Sequence, residues 1–157
     1  MVDEEFSHLD EDGHVHMVDV GGKDTTDREA TAEAHVVMDP STRDRLFAGD
    51  LPKGDALAVA RVAGIMAAKR TAELIPLCHP IAITAVSIDV RPAGHGASVR
   101  ATVSTRDRTG VEMEAMTAAS VAALTVYDMI KGVERGAHIA DVRLVAKSGG
   151  RSGEWIR

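Results

Sequence analysis

The sequence predicts an α+β fold, an antiparallel sheet with two long helices laid on one face. Three observations carry this. Apolar and polar residues alternate on both sides of the turn "RPAGHG", the period of half-buried strands joined as a hairpin. Two Ala-rich stretches, residues 56–74 and 111–134, have helical length and helix-ending signals. The elements also follow one another as strand, helix, strand, strand, helix, strand.

"MVDEEFSHLDEDG" holds six acids and neither Lys nor Arg, and residues 1–13 read as a mobile, solvated tail. Nothing up to residue 12 has an apolar period, so its removal is expected to leave fold and turnover intact. Residues 14–157 form a single domain. "HVHMVDV" alternates like a short strand, and "GGKDTTD" is a loop with Thr26 or Asp27 as turn formers. "REATAEAHVVM" is the first long strand. "DPSTRDRLFAG" is a short helix capped by Ser41 or Thr42 and closed by Gly49.

Asp55 caps the first long helix, which carries Lys69 and Arg70 toward its end and stops at Pro76. Thr84, Val86, Ile88 and Val90 form one face of the next strand; Ala97, Val99, Ala101 and Val103 form one face of its partner. "VEMEAMTAASVAALTVYDMIKGVE" is the second long helix. In the last strand Ala140, Val142, Leu144 and Ala146 point one way, and "SGGRSGEWIR" is irregular. This order is the split βαβ pattern of a ferredoxin-like βαββαβ sandwich. Its second sheet face stays open unless another layer covers it, which suggests an oligomer.

Composition narrows the function. Outside the first thirteen residues the chain holds 18 acids and 18 bases, a neutral body that argues against nucleic-acid binding. No apolar run approaches a membrane span. One cysteine allows no internal disulfide and fits a reducing cytoplasm. Against 13 Arg there are five Lys, at positions 23, 53, 69, 131 and 147. Lys can release its proton when desolvated and Arg effectively cannot, so each retained Lys is a candidate for a specific task.

Four segments carry candidate chemistry. In "LIPLCHPI" Pro80 pushes His79 into an extended conformation. Neighbouring side chains there point opposite ways, so one of Cys78 and His79 should face a pocket while the other packs. His79 has two readings, a satisfied structural histidine or a site residue. Glu112 and Glu114 stand two apart at a helix start, where the helix dipole favours carboxylates; such a pair can also split its pKa values for acid–base work. Asp128 and Lys131 share a helix face, either as a surface ion pair or as a working pair on a largely apolar helix. Lys147 and Arg151 lie among glycines whose exposed N–H groups suit phosphate oxygens. His14 and His16 share a strand face, but two ligands make no metal site.

"KGD", "AAKRTAELIPLCHPI", "TGVEMEAMTAASVAALTVYDMIK" and "VRLVAKSGGRSG" together resemble the cyclic pyranopterin monophosphate synthase family, the C protein of molybdenum cofactor biosynthesis. The likeness runs from "HMVDV" to the glycine-rich end. The resemblance implies a cytoplasmic phosphorus–oxygen lyase, a homohexamer built as a trimer of dimers with its site at the dimer interface. It implies that 3′,8-cyclo-7,8-dihydro-GTP is converted to cyclic pyranopterin monophosphate with release of pyrophosphate. It implies catalytic roles for Lys53, His79, Glu112, Glu114, Asp128 and Lys131, with substrate contacts from Leu77, Cys78, His79, Met113, Glu114 and Lys147. Lys69 and Arg151 join the substrate-binding candidates. No protein-held cofactor or metal is implied, and Mg²⁺ is left as a companion of the substrate triphosphate.

On one helix Glu114 and Asp128 lie about 21 Å apart, at 1.5 Å per residue. Their two ends therefore should serve different sites, each completed by a second chain, with Lys131 across the interface from Lys53 and His79. The rival reading is a non-catalytic nucleotide sensor, since this architecture serves both. A sensor needs cations but has no use for the acid–base set.

Overall fold

A computed structural model describes residues 8, 9 and 12–157. Most of the acidic stretch expected to be a tail, residues 1–7, 10 and 11, lies outside the described residues. His8 and Leu9 are described, and they are paired: Leu9 bridges Val15 and the His16 N–H donates to the His8 carbonyl at 2.9 Å.

The chain forms β1 (Thr26–Val37), α1 (Pro40–Ala48), α2 (Ala56–Ala68), α3 (Thr71–Leu74), β2 (Ile83–Ala93), β3 (Gly96–Asp107), α4 (Glu112–Ile130), β4 (His138–Ser148) and β5 (Trp155–Ile156). The strands make one sheet in the order β2-β3-β1-β4-β5, every neighbour antiparallel. The helices pack on one face, as the sequence predicts. The predicted strand at "HVHMVDV" is reduced to the Leu9–Val15 bridge. The tail expected to be irregular adds β5 as an edge strand.

Small side chains build this core. Ala30, Ala32, Ala34 and Val36 of β1 and Ala97, Val99, Ala101 and Val103 of β3 are at most 1% exposed. Above them lie Ala115, Ala118, Ala119, Ala122, Ala123 and Val126 of α4, all fully buried. Helices bearing Ala and Gly approach closely: a Cβ on Gly64 of α2 would stand 3.1 Å from the Ala118 carbonyl. Asp55 caps α2 by accepting from the Ala58 N–H at 2.9 Å. The cap residue of α1 is Asp39, one place before Pro40, rather than Ser41 or Thr42. The first long helix is shorter than predicted. It ends at Ala68, where the Thr71 hydroxyl takes the Ala68 carbonyl at 3.1 Å and starts a separate turn, α3.

Strand alternation fails at bulges. In β2 Thr84 is the extra residue opposite β3, so Ile83 rather than Thr84 turns toward the core. In β4 the pairing with β1 skips Ala140 and Val145. The inward set is therefore Ile139, Val142 and Leu144, not the predicted run from Ala140 to Ala146. A bulge reverses the parity of everything beyond it. Past Val145 it brings Lys147 opposite buried Ala30, on the helix side of the sheet.

The other sheet face is polar. Glu33 accepts from Arg100 and lies 3.7 Å from Arg143, and the Thr31 and Thr102 hydroxyls meet at 2.9 Å. Exposed apolar side chains sit instead on the outer surface of the helices: Val59, Val62 and Met66 along one stripe of α2, and Leu124 on α4. Among the described residues no helix is long and apolar enough to cross a membrane.

Candidate active site

The N-terminal end of α4 is built around a carboxylate fold-back. Gly110 precedes the helix, and a Cβ there would lie 1.9 Å from Glu112 Oε2, so only glycine leaves room for that carboxylate. Lys147, brought inward by the β4 bulge, donates Nζ to Glu112 Oε1 at 2.9 Å. Glu114 is 3% exposed. Burial pushes its carboxyl above the ordinary range; a bond from its own N–H offsets part of this, and the Glu112 charge adds to the rise. The two glutamates thus have different environments, one ion-paired and one desolvated, the arrangement that lets neighbouring carboxyls hold opposite protonation states.

Facing them is the segment between the two prolines. His79 donates from Nε2 to the Val18 carbonyl at 2.8 Å, which leaves Nδ1 as the bare nitrogen. Cys78 is a free thiol, and burial and the neighbouring Glu114 charge push its pKa up, so it serves as pocket wall rather than nucleophile. Both Cys78 and His79 line the cavity, against the expectation that only one would. The reason is local: the Cys78 N–H closes a turn onto the Ile75 carbonyl at 3.1 Å, and β2 starts only at Ile83, so strand alternation does not apply.

The cavity between these elements measures about 430 Å³ and is lined by Leu77, Met113 and Lys23 along with His79, Glu112 and Glu114. Lys23 also lines an adjoining cavity of about 200 Å³ with Thr26, Arg28 and Arg151. Thr26 Oγ1 is buried there without a hydrogen-bond partner. Gly149 and Gly150 turn the chain at this point with φ of 90° and 69°. A Cβ on Gly149 would strike the Asp27 carbonyl at 2.1 Å, so the glycines let the Lys147–Arg151 loop lie against the start of β1. Lys23, Arg28 and Arg151 line this cavity together with the unpaired hydroxyl and one acid, Asp24, and grouped cations of this kind suit an anion.

A second cluster occupies the other end of α4. The turn Leu51–Gly54, held by buried Leu51 and a Gly54 N–H to Leu51 carbonyl bond of 3.0 Å, presents Lys53. Its Nζ donates to Asp128 Oδ2 at 2.8 Å and to the Asp128 carbonyl at 2.7 Å. Lys131 Nζ reaches Asp128 Oδ1 at 2.7 Å. Hydrogen bonds from Lys131 and then Lys53 hold the Asp128 carboxyl down at about 2, and the same bond raises Lys131 above the usual lysine range. Lys53 and Lys131 therefore share one aspartate within one chain. The expectation that Lys131 lies across an interface from Lys53 is corrected: the turn before α2 reaches the end of α4 directly.

One chain thus gathers Leu77, Cys78, His79, Glu112, Met113, Glu114 and Lys147 at one end of α4 and Lys53, Asp128 and Lys131 at the other. Arg151 belongs to the adjoining cation-lined cavity. Lys69 caps α2, is exposed, and is not among the residues lining the large cavity. Sequence reasoning passed over His8, Thr26 and Arg28 as site residues and gave Lys23 no place in the site. The scarcity of lysine marked Lys23; nothing in the sequence singled out Arg28 or Thr26. Among the described residues no three His, Cys, Asp or Glu are grouped to hold a metal ion.

Fold and site together define an α+β enzyme with acid–base groups at a nucleotide-sized cavity flanked by cations. The chain belongs to the MoaC family, whose model matches residues 17–150. It is 60% identical over 154 residues to a cyclic pyranopterin monophosphate synthase of Roseiflexus castenholzii, covering 97% of this chain and 98% of that protein. It is 55% identical over 152 residues to the protein of the same name from Streptomyces coelicolor, covering 97% and 89%. A Nocardioides relative of that name is 54% identical over 155 residues, covering 97% and 95%.

Proposed function

We propose that this chain is a cyclic pyranopterin monophosphate synthase of molybdenum cofactor biosynthesis, acting in the cytoplasm on 3′,8-cyclo-7,8-dihydro-GTP. The observation that carries the reading is the common wall formed by His79, Glu112 and Glu114, continued through Lys23 into a cationic cavity. Recasting a guanine-derived ring as a pterin takes hydrolytic opening and re-closure, each a set of proton transfers. A buried Glu114 with a raised pKa donates a proton, and the bare Nδ1 of His79 accepts one. A sensor would have no use for that difference.

The second half of the reaction is a displacement at the α-phosphorus. A ribose hydroxyl oxygen bonds to phosphorus, its proton passes to a base, and the bond to the β-phosphate oxygen breaks to release pyrophosphate. Cations on the triphosphate stabilise the charge that develops on the leaving group. That Lys23, Arg28 and Arg151 line one cavity supports giving them this role. The reading needs no protein-held cofactor, and Mg²⁺ enters only as a companion of the triphosphate.

The working unit in this reading holds two chains within a homohexamer. The Lys53–Asp128–Lys131 cluster and the glutamate cavity are separated by fourteen residues of α4, about 21 Å, and cannot act on one ring within a chain. Leu124 is exposed one turn before Asp128, and α2, which packs against α4, carries its own exposed apolar stripe. A second copy packed on that helical surface by a two-fold axis brings each chain's cluster to the other's cavity.

The direct test is incubation of the purified chain with 3′,8-cyclo-7,8-dihydro-GTP, following pterin formation and pyrophosphate release. The expected result is one pyrophosphate per pterin. Tight binding without either product would leave a sensor.

A further inference from the structure

Among the described residues outside the family-matched 17–150, His8 lines the cavity. Its segment is a narrow hairpin held by backbone bonds. Leu9 bridges Val15, and the His16 N–H donates to the His8 carbonyl at 2.9 Å. Leu9 and Val15 are 40% and 67% exposed, so burial does not hold this hairpin to the domain. The tie to the site comes two residues beyond it, where the Val18 carbonyl accepts from His79. His8 is thus carried into the cavity wall by a strap that ends on a site histidine.

The imidazole is oriented. His8 Nδ1 lies 3.3 Å from the His16 carbonyl, and a carbonyl only accepts, so Nδ1 is the donor and, in the neutral ring, Nε2 is the acceptor. The same cavity is lined by Lys23, a donor, and by Glu112 and Glu114. We infer that His8 is a further substrate-binding residue, accepting through Nε2 a hydrogen bond from an N–H group on the purine-derived ring. The inference rests on the reading of the cavity as the ring site. It also departs from the expectation that residues up to 12 are dispensable.

The test uses three substitutions in the full chain. Asn retains a donor near the Nδ1 position, and Gln retains an acceptor near the Nε2 position. Steady-state kinetics with the cyclic dihydro-GTP and calorimetric binding of GTP, which carries a guanine N–H edge and a triphosphate, are measured together. His8→Ala is expected to raise KM and the GTP Kd about 5- to 10-fold, the size of one net hydrogen bond, with kcat within about twofold. His8→Gln should recover most of the loss and His8→Asn little of it. Recovery by Asn and not Gln would overturn the inference, because His8 would then act only through the His16 carbonyl. Unchanged GTP binding by His8→Ala would overturn it too. A wild-type chain that binds GTP through His8 yet makes no pterin would sink the proposed reaction while upholding this contact.

Discussion

Lys131→Arg is expected to lower kcat about 10²- to 10⁴-fold, nearly as far as Lys131→Ala, the range lost when a positioned proton-transfer group is removed. Arginine keeps the positive charge and can still pair with Asp128, so charge and ion pair survive the change. What is lost is a proton that can leave. Asp128 raises the Lys131 pKa, so in the free chain Lys131 is an ammonium and acts as proton donor rather than base. Lys53, on the same carboxylate, can take over the pairing once that proton moves. The measurement is kcat from pyrophosphate release. Near-normal turnover by Lys131→Arg would reduce Lys131 to a charge.

Glu114→Gln is expected to abolish most turnover while making the protein more stable at neutral pH. Burial raises the Glu114 pKa in the folded chain above its ordinary value of 4.5. A group raised in this way favours folding fully below its unfolded pKa, and that contribution is lost as pH rises through the folded pKa. At pH 7 the buried carboxyl therefore contributes less stability than at low pH, and the neutral amide removes that dependence. Thermal melts of the two proteins should coincide near pH 4, with Glu114→Gln melting higher at pH 7. A Glu114→Gln protein that melts below wild type at pH 7 would show that the carboxylate is satisfied as an anion.

The sheet and both long helices were legible because their patterns are local. Alternation marked β2 and β3, Asp55 marked the start of α2, and the Ala-rich period marked α4. The three bulges were not legible, because an extra residue in a strand is defined only by its partner. That is why Lys147 could be assigned to a site by resemblance but not by face. Its inward position depends on the skipped Val145, not on its own sequence parity. The glutamate cavity was legible through the pairing of Glu112 with Glu114 and the proline-bracketed "LCHP". The company of Lys53 was misjudged, since only the path of the Leu51–Gly54 turn brings it to Asp128. Arg28 and Thr26 lay hidden at the start of a strand whose role depends on the distant Gly149–Gly150 turn.

In the proposed working unit, cavity and lysine–aspartate cluster become one site only between two chains. The most direct measurement is complementation between Glu114→Gln and Lys131→Ala, each inactive alone, unfolded and refolded as an equal mixture. A site is whole when its cavity comes from the Lys131→Ala chain and its cluster from the Glu114→Gln chain. Each condition holds for about half of randomly assembled sites, so about a quarter of wild-type activity should return. The pair Lys53→Ala with Lys131→Ala, both in one cluster, should stay inactive under the same treatment. A Glu114→Gln and Lys131→Ala mixture that remains inactive, although mass spectrometry shows mixed oligomers, would contradict the two-chain site.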